Sequence, residues 1–223
     1  MNYQIVPYHR SLNQQCVELM SDTWNFNALF PDHTKTNLIN RLFFTEATIL
    51  ADYSQVIIDQ TGRVGGYLFG ILDHSFPAKA SRFWKTLGYG LLVIYHVLMG
   101  HVGPRKFVLK RGKELLGVMG SLDSKKTKTD GFVSLFFVSS TLRGQGLGKK
   151  LMENFESHCK TLGFQRIYLW TDKGCNYKFY EAQGFERIHS LSSPLLSQYG
   201  TEPNGYTYAK PLENQSPSPV GTY

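Results

Sequence analysis

The sequence predicts an α/β fold, and three observations carry that prediction. Segments with strand character alternate with segments of helical spacing along most of the 223 residues. A strand-like run, Phe132–Ser139, passes through a glycine-rich turn directly into an amphipathic helix. A short, almost wholly apolar run at Ile167–Trp170 has the character of a central strand covered on both faces.

Taken in order, Tyr3–Tyr8 predicts a first strand. Leu12 to Leu29 predicts a helix followed by an aromatic-rich loop, with apolar residues at Val17, Leu19, Met20, Trp24 and Phe26. A second helix is expected over residues 33–50, with Leu38, Ile39, Leu42 and Phe43 on one side. Val56–Asp59 and Val64–Leu72 flank Gln60-Thr61-Gly62-Arg63, a hairpin signal. Past the glycine turn, Leu147, Leu151, Met152, Phe155, Cys159 and Leu162 make one buried stripe, and Gly163 is placed to end that helix. Residues 176–183 predict a short helix closed by Gly184, with strands at Phe185–Ile188 and Gly205–Leu212. Residues 1–212 are expected to form one domain, and residues 213–223 a disordered tail with nothing to bury.

Residues 75–130 interrupt this order and are expected to be a helical insertion. Thr86–Pro104 holds nineteen consecutive uncharged residues, near the lower limit for a membrane span, but four glycines and two histidines argue against one. The insertion also holds eleven Lys/Arg against three acids, so the net charge of +7 belongs to it and the remainder is close to neutral. Residues 82–111, with Arg82, Lys85, Arg105 and Lys106 at the ends, are a candidate for peripheral membrane contact. Ser121–Asp130 has the composition of a polar linker. Cys16, Cys159 and Cys175 share no disulfide or metal spacing, so no metal is expected and a reducing compartment is. The first residues lack the basic-then-apolar pattern of a signal peptide, and a cytoplasmic location is expected. No nucleic-acid partner is expected.

The chemistry lies in Arg143-Gly144-Gln145-Gly146-Leu147-Gly148-Lys149. A glycine-rich turn opening a helix points several backbone N–H groups at one place, with the positive end of the helix dipole behind them; this is a phosphate cradle. A dinucleotide fingerprint read from Gly144 needs glycine where Lys149 stands. A P-loop read back from Gly148-Lys149 needs glycine at Arg143 and Ser or Thr at Lys150. Both alternatives fail on those residues.

The segment Phe132–Phe185 resembles the GCN5-related N-acetyltransferase (GNAT) family, whose pyrophosphate signature Arg/Gln-x-x-Gly-x-Gly/Ala is matched by Arg143, Gly146 and Gly148. Phe179-Tyr180-Glu181-Ala182-Gln183-Gly184-Phe185 resembles the family's second signature, a tyrosine-bearing helix followed by Gly-Phe. The resemblance implies a mixed, splayed central β-sheet with helices on both faces, in which Phe132–Ser139 and Ile167–Thr171 part to admit the pantetheine arm of acetyl-CoA. It implies that the backbone of Val138 contacts pantetheine and the thioester oxygen. Arg143, Gly144, Gln145, Gly146, Leu147, Gly148 and Lys149 would hold the pyrophosphate, and Tyr180 would act as general acid.

The implied function is an acetyl-CoA-dependent N-acyltransferase working by direct attack. A catalytically weak CoA-binding regulatory or scaffold protein of the same fold is the alternative. Many relatives carry a glutamate on the strand before the cradle, whereas Phe132–Ser139 has no carboxylate. Asp73 and His74 at the end of the hairpin's second strand are the candidate replacements, with Asp172 another. The family's asparagine seven residues before the tyrosine is Lys173 here, with Asn176 nearer. Cys175 near the acyl site raises a ping-pong route, which direct attack outranks because no histidine adjoins it. Trp24, Phe26 and Phe30 are candidates to line an acceptor pocket. A small-molecule amine is favoured over a protein amine as acceptor, since no extended peptide groove is recognisable.

Overall fold

The computed structural model describes residues 2–23, 33–72, 76–123, 127, 130–193 and 203–212. The elements are β1 (Gln4–Pro7), α1 (Asn13–Thr23), α2 (His33–Leu50), β2 (Tyr53–Ile58), β3 (Val64–Ile71), α3 (Phe76–Leu98), α4 (Arg105–Asp123), β4 (Asp130–Val138), α5 (Leu147–Thr161), β5 (Arg166–Asp172), α6 (Tyr177–Ala182), β6 (Glu186–Leu191) and β7 (Gly205–Pro211). The seven strands form one sheet in the order β1-β2-β3-β4-β5-β7-β6. Among the described strands only β4 and β5 pair in parallel, so the sheet is mixed as expected.

Two cores cover the two faces of the sheet. On one, Leu151, Met152, Phe155 and Cys159 of α5 pack on Leu68, Val133, Ile167 and Leu169. On the other, Cys16, Val17 and Met20 of α1 and Phe44 and Ala47 of α2 cover Val56, Tyr67, Phe69, Leu135 and Phe137. Four members of the α5 stripe read from the sequence, Leu151, Met152, Phe155 and Cys159, are the buried face of that helix; Leu147 is half-buried, and Leu162, just past its last turn, is 45% exposed. The helix lies close because the sheet offers glycine beneath it: a Cβ on Gly70 would stand 2.2 Å from Phe155. Gly163 takes φ +78 just beyond the helix, as its C-terminal position requires.

The insertion between β3 and β4 consists of α3 and α4. The uncharged run Thr86–Pro104 breaks in the middle, where α3 ends at Leu98 and Gly100 and Gly103 adopt φ +70 and +120. Among the described residues no helix is long and apolar enough to cross a membrane. The segment read as a linker from Ser121 is helical through Asp123, and β4 already begins at Asp130. The tail 213–223 lies outside the described residues.

Candidate active site

The site begins where β4 and β5 separate. They pair from Asp130↔Arg166 to Val133↔Leu169 and no further, although β4 continues to Val138 and β5 to Asp172. Beyond that point β4 stays with β3 and β5 stays with β7, so a wedge opens between the strands. At its closed end Arg166 grips Asp130 with two hydrogen bonds, Nε to Oδ1 at 2.9 Å and Nη2 to Oδ2 at 2.6 Å. The wedge is a cleft of about 720 Å³, walled by the freed ends of both strands, the glycine turn and the segment from Gly174 to Tyr180.

Strand alternation decides what β4 offers to this cleft. The Ser139 N–H donates to Gly65 O at 2.9 Å, towards β3. Neighbouring residues of a strand direct their backbone groups to opposite edges. The N–H and C=O of Val138 therefore face the edge that β5 has left, where an extended arm can pair as an added strand.

The cradle follows from local chain geometry. Ser140–Leu142 form a short 3-10 turn whose Leu142 is buried and anchors the loop to the core. Gly144 and Gly146 then take φ +79 and +75, the left-handed region that side chains disfavour. Alternation of that kind turns successive N–H groups to one side. Gly146 is the N-cap of α5, and its carbonyl accepts the Lys150 N–H at 3.0 Å. The N–H groups of Leu147, Gly148 and Lys149 have no intrahelical acceptor and point out of the helix start. Gly148 faces the wall closely: a Cβ there would stand 3.3 Å from both Phe136 and Val138.

Of the residues expected to hold the donor, Val138, Arg143, Gly144, Gly146, Gly148 and Lys149 line the cleft. Gln145 and Leu147 do not. The Gln145 amide turns back to the Thr141 carbonyl (3.2 Å), and Leu147 packs against the core, so these two offer only backbone groups. Sequence reasoning missed Phe136 and Phe179, whose rings lie 5.3 Å apart on the cleft wall. Alternation along β4 was the available signal for Phe136, since it shares a face with Val138.

Tyr180 sits on α6, a helix of only six residues that cannot hold itself by its own hydrogen bonds. A polar clamp fixes it. Glu181 Oε1 accepts from Tyr208 Oη (2.7 Å) and from Arg187 Nη2 (2.8 Å), and the Arg187 guanidinium stacks 4.1 Å from the Tyr206 ring centroid. Tyr180 itself is 9% exposed, lines the cleft, and lies against Phe136, Phe179, Phe185 and Tyr208. Burial pushes the Tyr180 pKa well above the usual tyrosine value, and the neighbouring Cys175 and Asp172 push the same way. The group is therefore held protonated, as a donor.

The other candidates have different work. Asp172 is buried, and its Oδ1 accepts the N–H groups of Gly174 (2.8 Å) and Cys175 (3.1 Å), so it shapes the turn into α6. Burial, followed by the charge of Asp172, pushes the Cys175 thiol up to about 11, far from the thiolate a ping-pong route needs. Asn176 lines the cleft, whereas Lys173 does not. Asp73 and His74 lie outside the described residues, as do Trp24, Phe26 and Phe30. The expectation that the end of β3 approaches the cleft meets a difficulty in the antiparallel register. Ile71 stands opposite Phe132, at the closed end of the wedge, while Gly66 stands opposite Val138. The described residues that line the cleft include neither a carboxylate nor an imidazole.

A sheet parted between two parallel strands, with a glycine cradle on one wall, defines the class of acyl-CoA-dependent N-acetyltransferases. The model of the Acetyltransferase (GNAT) family matches residues 72–185, half of the chain, and the chain belongs to that family. No curated protein matches its sequence. Among solved structures, the aminoglycoside 6'-N-acetyltransferase from Enterococcus faecium is similar with a TM-score of 0.56 and 14% identity, covering 96% of this chain and 99% of that one. An aminoglycoside 6'-N-acetyltransferase complexed with coenzyme A gives the same values. The ribosomal-protein-S18-alanine N-acetyltransferase from Escherichia coli is similar at 0.52 and 11% identity over all of both chains. At these identities the likeness establishes the fold.

Proposed function

We propose that this acetyltransferase moves the acetyl group of acetyl-CoA to the primary amine of a small molecule by direct attack, with Tyr180 as general acid. The observation that carries the reading is Tyr180, buried on the wall of a cleft whose other walls suit the donor: the unpaired edge of β4 and the glycine cradle. A cleft of about 720 Å³ falls in the range of small-molecule sites and must hold the pantetheine arm as well as the acceptor amine.

When bound, acetyl-CoA supplies a thioester carbonyl as electrophile and a thiol as leaving group. The N–H groups of residues 144–149 hold the pyrophosphate, and Arg143 and Lys149 add positive charge at the mouth. The Val138 N–H faces the thioester oxygen and stabilises negative charge developing there. As the C–N bond forms and the C–S bond breaks, the Tyr180 hydroxyl hydrogen-bonds to the departing sulfur. The thiol's ordinary pKa near 8.5 lies below that of tyrosine near 10, so donation of the bond outweighs full proton transfer. Removal of the amine's proton needs a base that the described lining residues lack, and Asp73 and His74 remain the candidates for it.

The test is a titration with acetyl-CoA followed by thiol release over a panel of small amines, amino-sugars and peptide amines. Acetyl-CoA should raise the melting temperature and be consumed with a small amine. Gly146→Asp, placing a carboxylate where the phosphates belong at a positive φ, should abolish the shift. Absence of any acetyl-CoA binding by the wild-type chain would remove the proposal, and consumption only with peptides would move the acceptor to the protein class.

A further inference from the structure

The insertion carries an apolar face that the rest of the protein does not use. α3 is tied down at two described points: the Tyr89 hydroxyl donates to the Leu42 carbonyl of α2 (3.0 Å), and Arg82 pairs with Asp52 in the turn between α2 and β2. Residues three and four apart share a helix face. Trp84, Leu87, Leu91, Ile94 and Leu98 step along α3 at intervals of three and four, and all are between 43% and 68% exposed. A surface helix ordinarily turns such a stripe inward. α3 turns it out.

The charges around the stripe are of one sign. Between Arg82 and Lys113 the chain has seven Lys/Arg and no Asp or Glu. Lys85, Lys106, Lys110 and Lys113 are exposed and make no ion pair among the described residues. On α4, Lys106 and Lys113 share a helix side with apolar groups, since Leu109 (63% exposed) lies three residues after Lys106 and four before Lys113, and Leu116 (70%) three after Lys113. Apolar side chains flanked by unpaired cations match the two demands of an anionic bilayer surface, burial at the acyl boundary and attraction to acidic headgroups.

We propose that the α3–α4 hairpin seats the enzyme on an anionic bilayer surface, with the α3 stripe entering the headgroup boundary and the α4 lysines facing acidic headgroups. A second copy of the chain is a poorer occupant, because two such faces would bring like charges together with no acid between Arg82 and Lys113 to offset them. The hairpin lies on the surface, because no described helix is long and apolar enough to cross. It touches α2 at one end and β6 and β7 at the other, so it reaches across the β4–β5 pair from which the cleft opens.

The experiment is sedimentation of the full chain with vesicles of phosphatidylcholine alone or mixed with phosphatidylglycerol, at low and high salt. Binding is expected to the mixed vesicles only, at least tenfold weaker at high salt. It should be lost in Leu91→Asp/Ile94→Asp and cut at least tenfold in Lys106→Glu/Lys110→Glu/Lys113→Glu. Brominated acyl chains should quench a fraction of the tryptophan emission that Trp84→Phe removes. An unaltered melting temperature and acetyl-CoA shift in each variant excludes misfolding as the cause and keeps this test separate from that of the transfer reaction. No sedimentation with any vesicle, or binding that ignores both sets of substitutions, overturns the proposal. A lipid-independent dimer abolished by Leu91→Asp/Ile94→Asp overturns it in favour of an interface between copies.

Discussion

Tyr180 and Gly146 show how differently two residues of one site can be read. Gly146 was legible because a left-handed N-cap admits little but glycine, and the spacing from Arg143 to Gly148 repeats a known cradle. Tyr180 was legible as a type and position, but its protonation follows from burial against four aromatic rings contributed by β4, α6, β7 and the residue before β6, which no local pattern encodes. Tyr180→Phe removes the donor and leaves the ring packing, so steady-state kinetics should show kcat reduced by about 10²-fold while the KM for acetyl-CoA stays close to wild type. Equal loss in both parameters would mean that the hydroxyl serves binding instead. Because burial lifts its pKa, the wild-type enzyme should lose no activity through Tyr180 ionisation at the usual tyrosine pKa. Cys175 is the opposite case: its place in the sequence invited a covalent role, and its burial and its neighbour Asp172 take the thiolate away.

At the scale of elements, period and punctuation located the strands and helices. The α2 range, read as His33 to about Leu50, matches the helix observed, since its apolar side and its break are both local. The α3–α4 boundary was not, because composition shows an uncharged run whereas Gly100 and Gly103 set the break. The opening of the wedge was implied by family resemblance and not by spacing, since a strand's sequence does not state where its partner stops bonding to it. The Asp130–Arg166 pair at the closed end was missed altogether, for its two halves lie far apart in sequence and meet only through the register. Burial of Asp130 would raise its pKa, but the Arg166 hydrogen bonds and the Thr127 N–H outweigh that and hold it below the usual carboxylate value. A depressed carboxylate stabilises the fold at neutral pH and loses that contribution as pH falls through the usual carboxylate range towards the folded pKa. Asp130→Asn should therefore cost about 3 kcal/mol at pH 7, with the gap to wild type narrowing in acid. Denaturant unfolding of both proteins across that range measures it, and a gap independent of pH would assign the loss to packing.

For the whole molecule, an α/β fold followed from the order of elements and helices on both faces of its sheet from the family resemblance, but the placing of β7 between β5 and β6 followed from neither. That order depends on which strand edges remain open after β4 and β5 part, a property of the assembled sheet. The insertion bears on how the sheet is assembled. Residues 72–129 stand between β3 and β4, two strands that pair directly where a tight turn would ordinarily join them. Closing so long a connection costs about 2 kcal/mol more than closing a short hairpin, by the logarithmic growth of loop entropy. Local helices shorten the chain that must be gathered, so α3 and α4 would act as a splint across the gap if they formed before the sheet closed. Replacing the exposed Leu92 by glycine within α3 should then slow refolding in stopped-flow experiments while leaving unfolding nearly unchanged. Unaltered refolding with faster unfolding would mean that the sheet closes first and the helices settle afterwards. In the first case the segment that carries the unused apolar face also sets the pace at which the catalytic cleft comes into being.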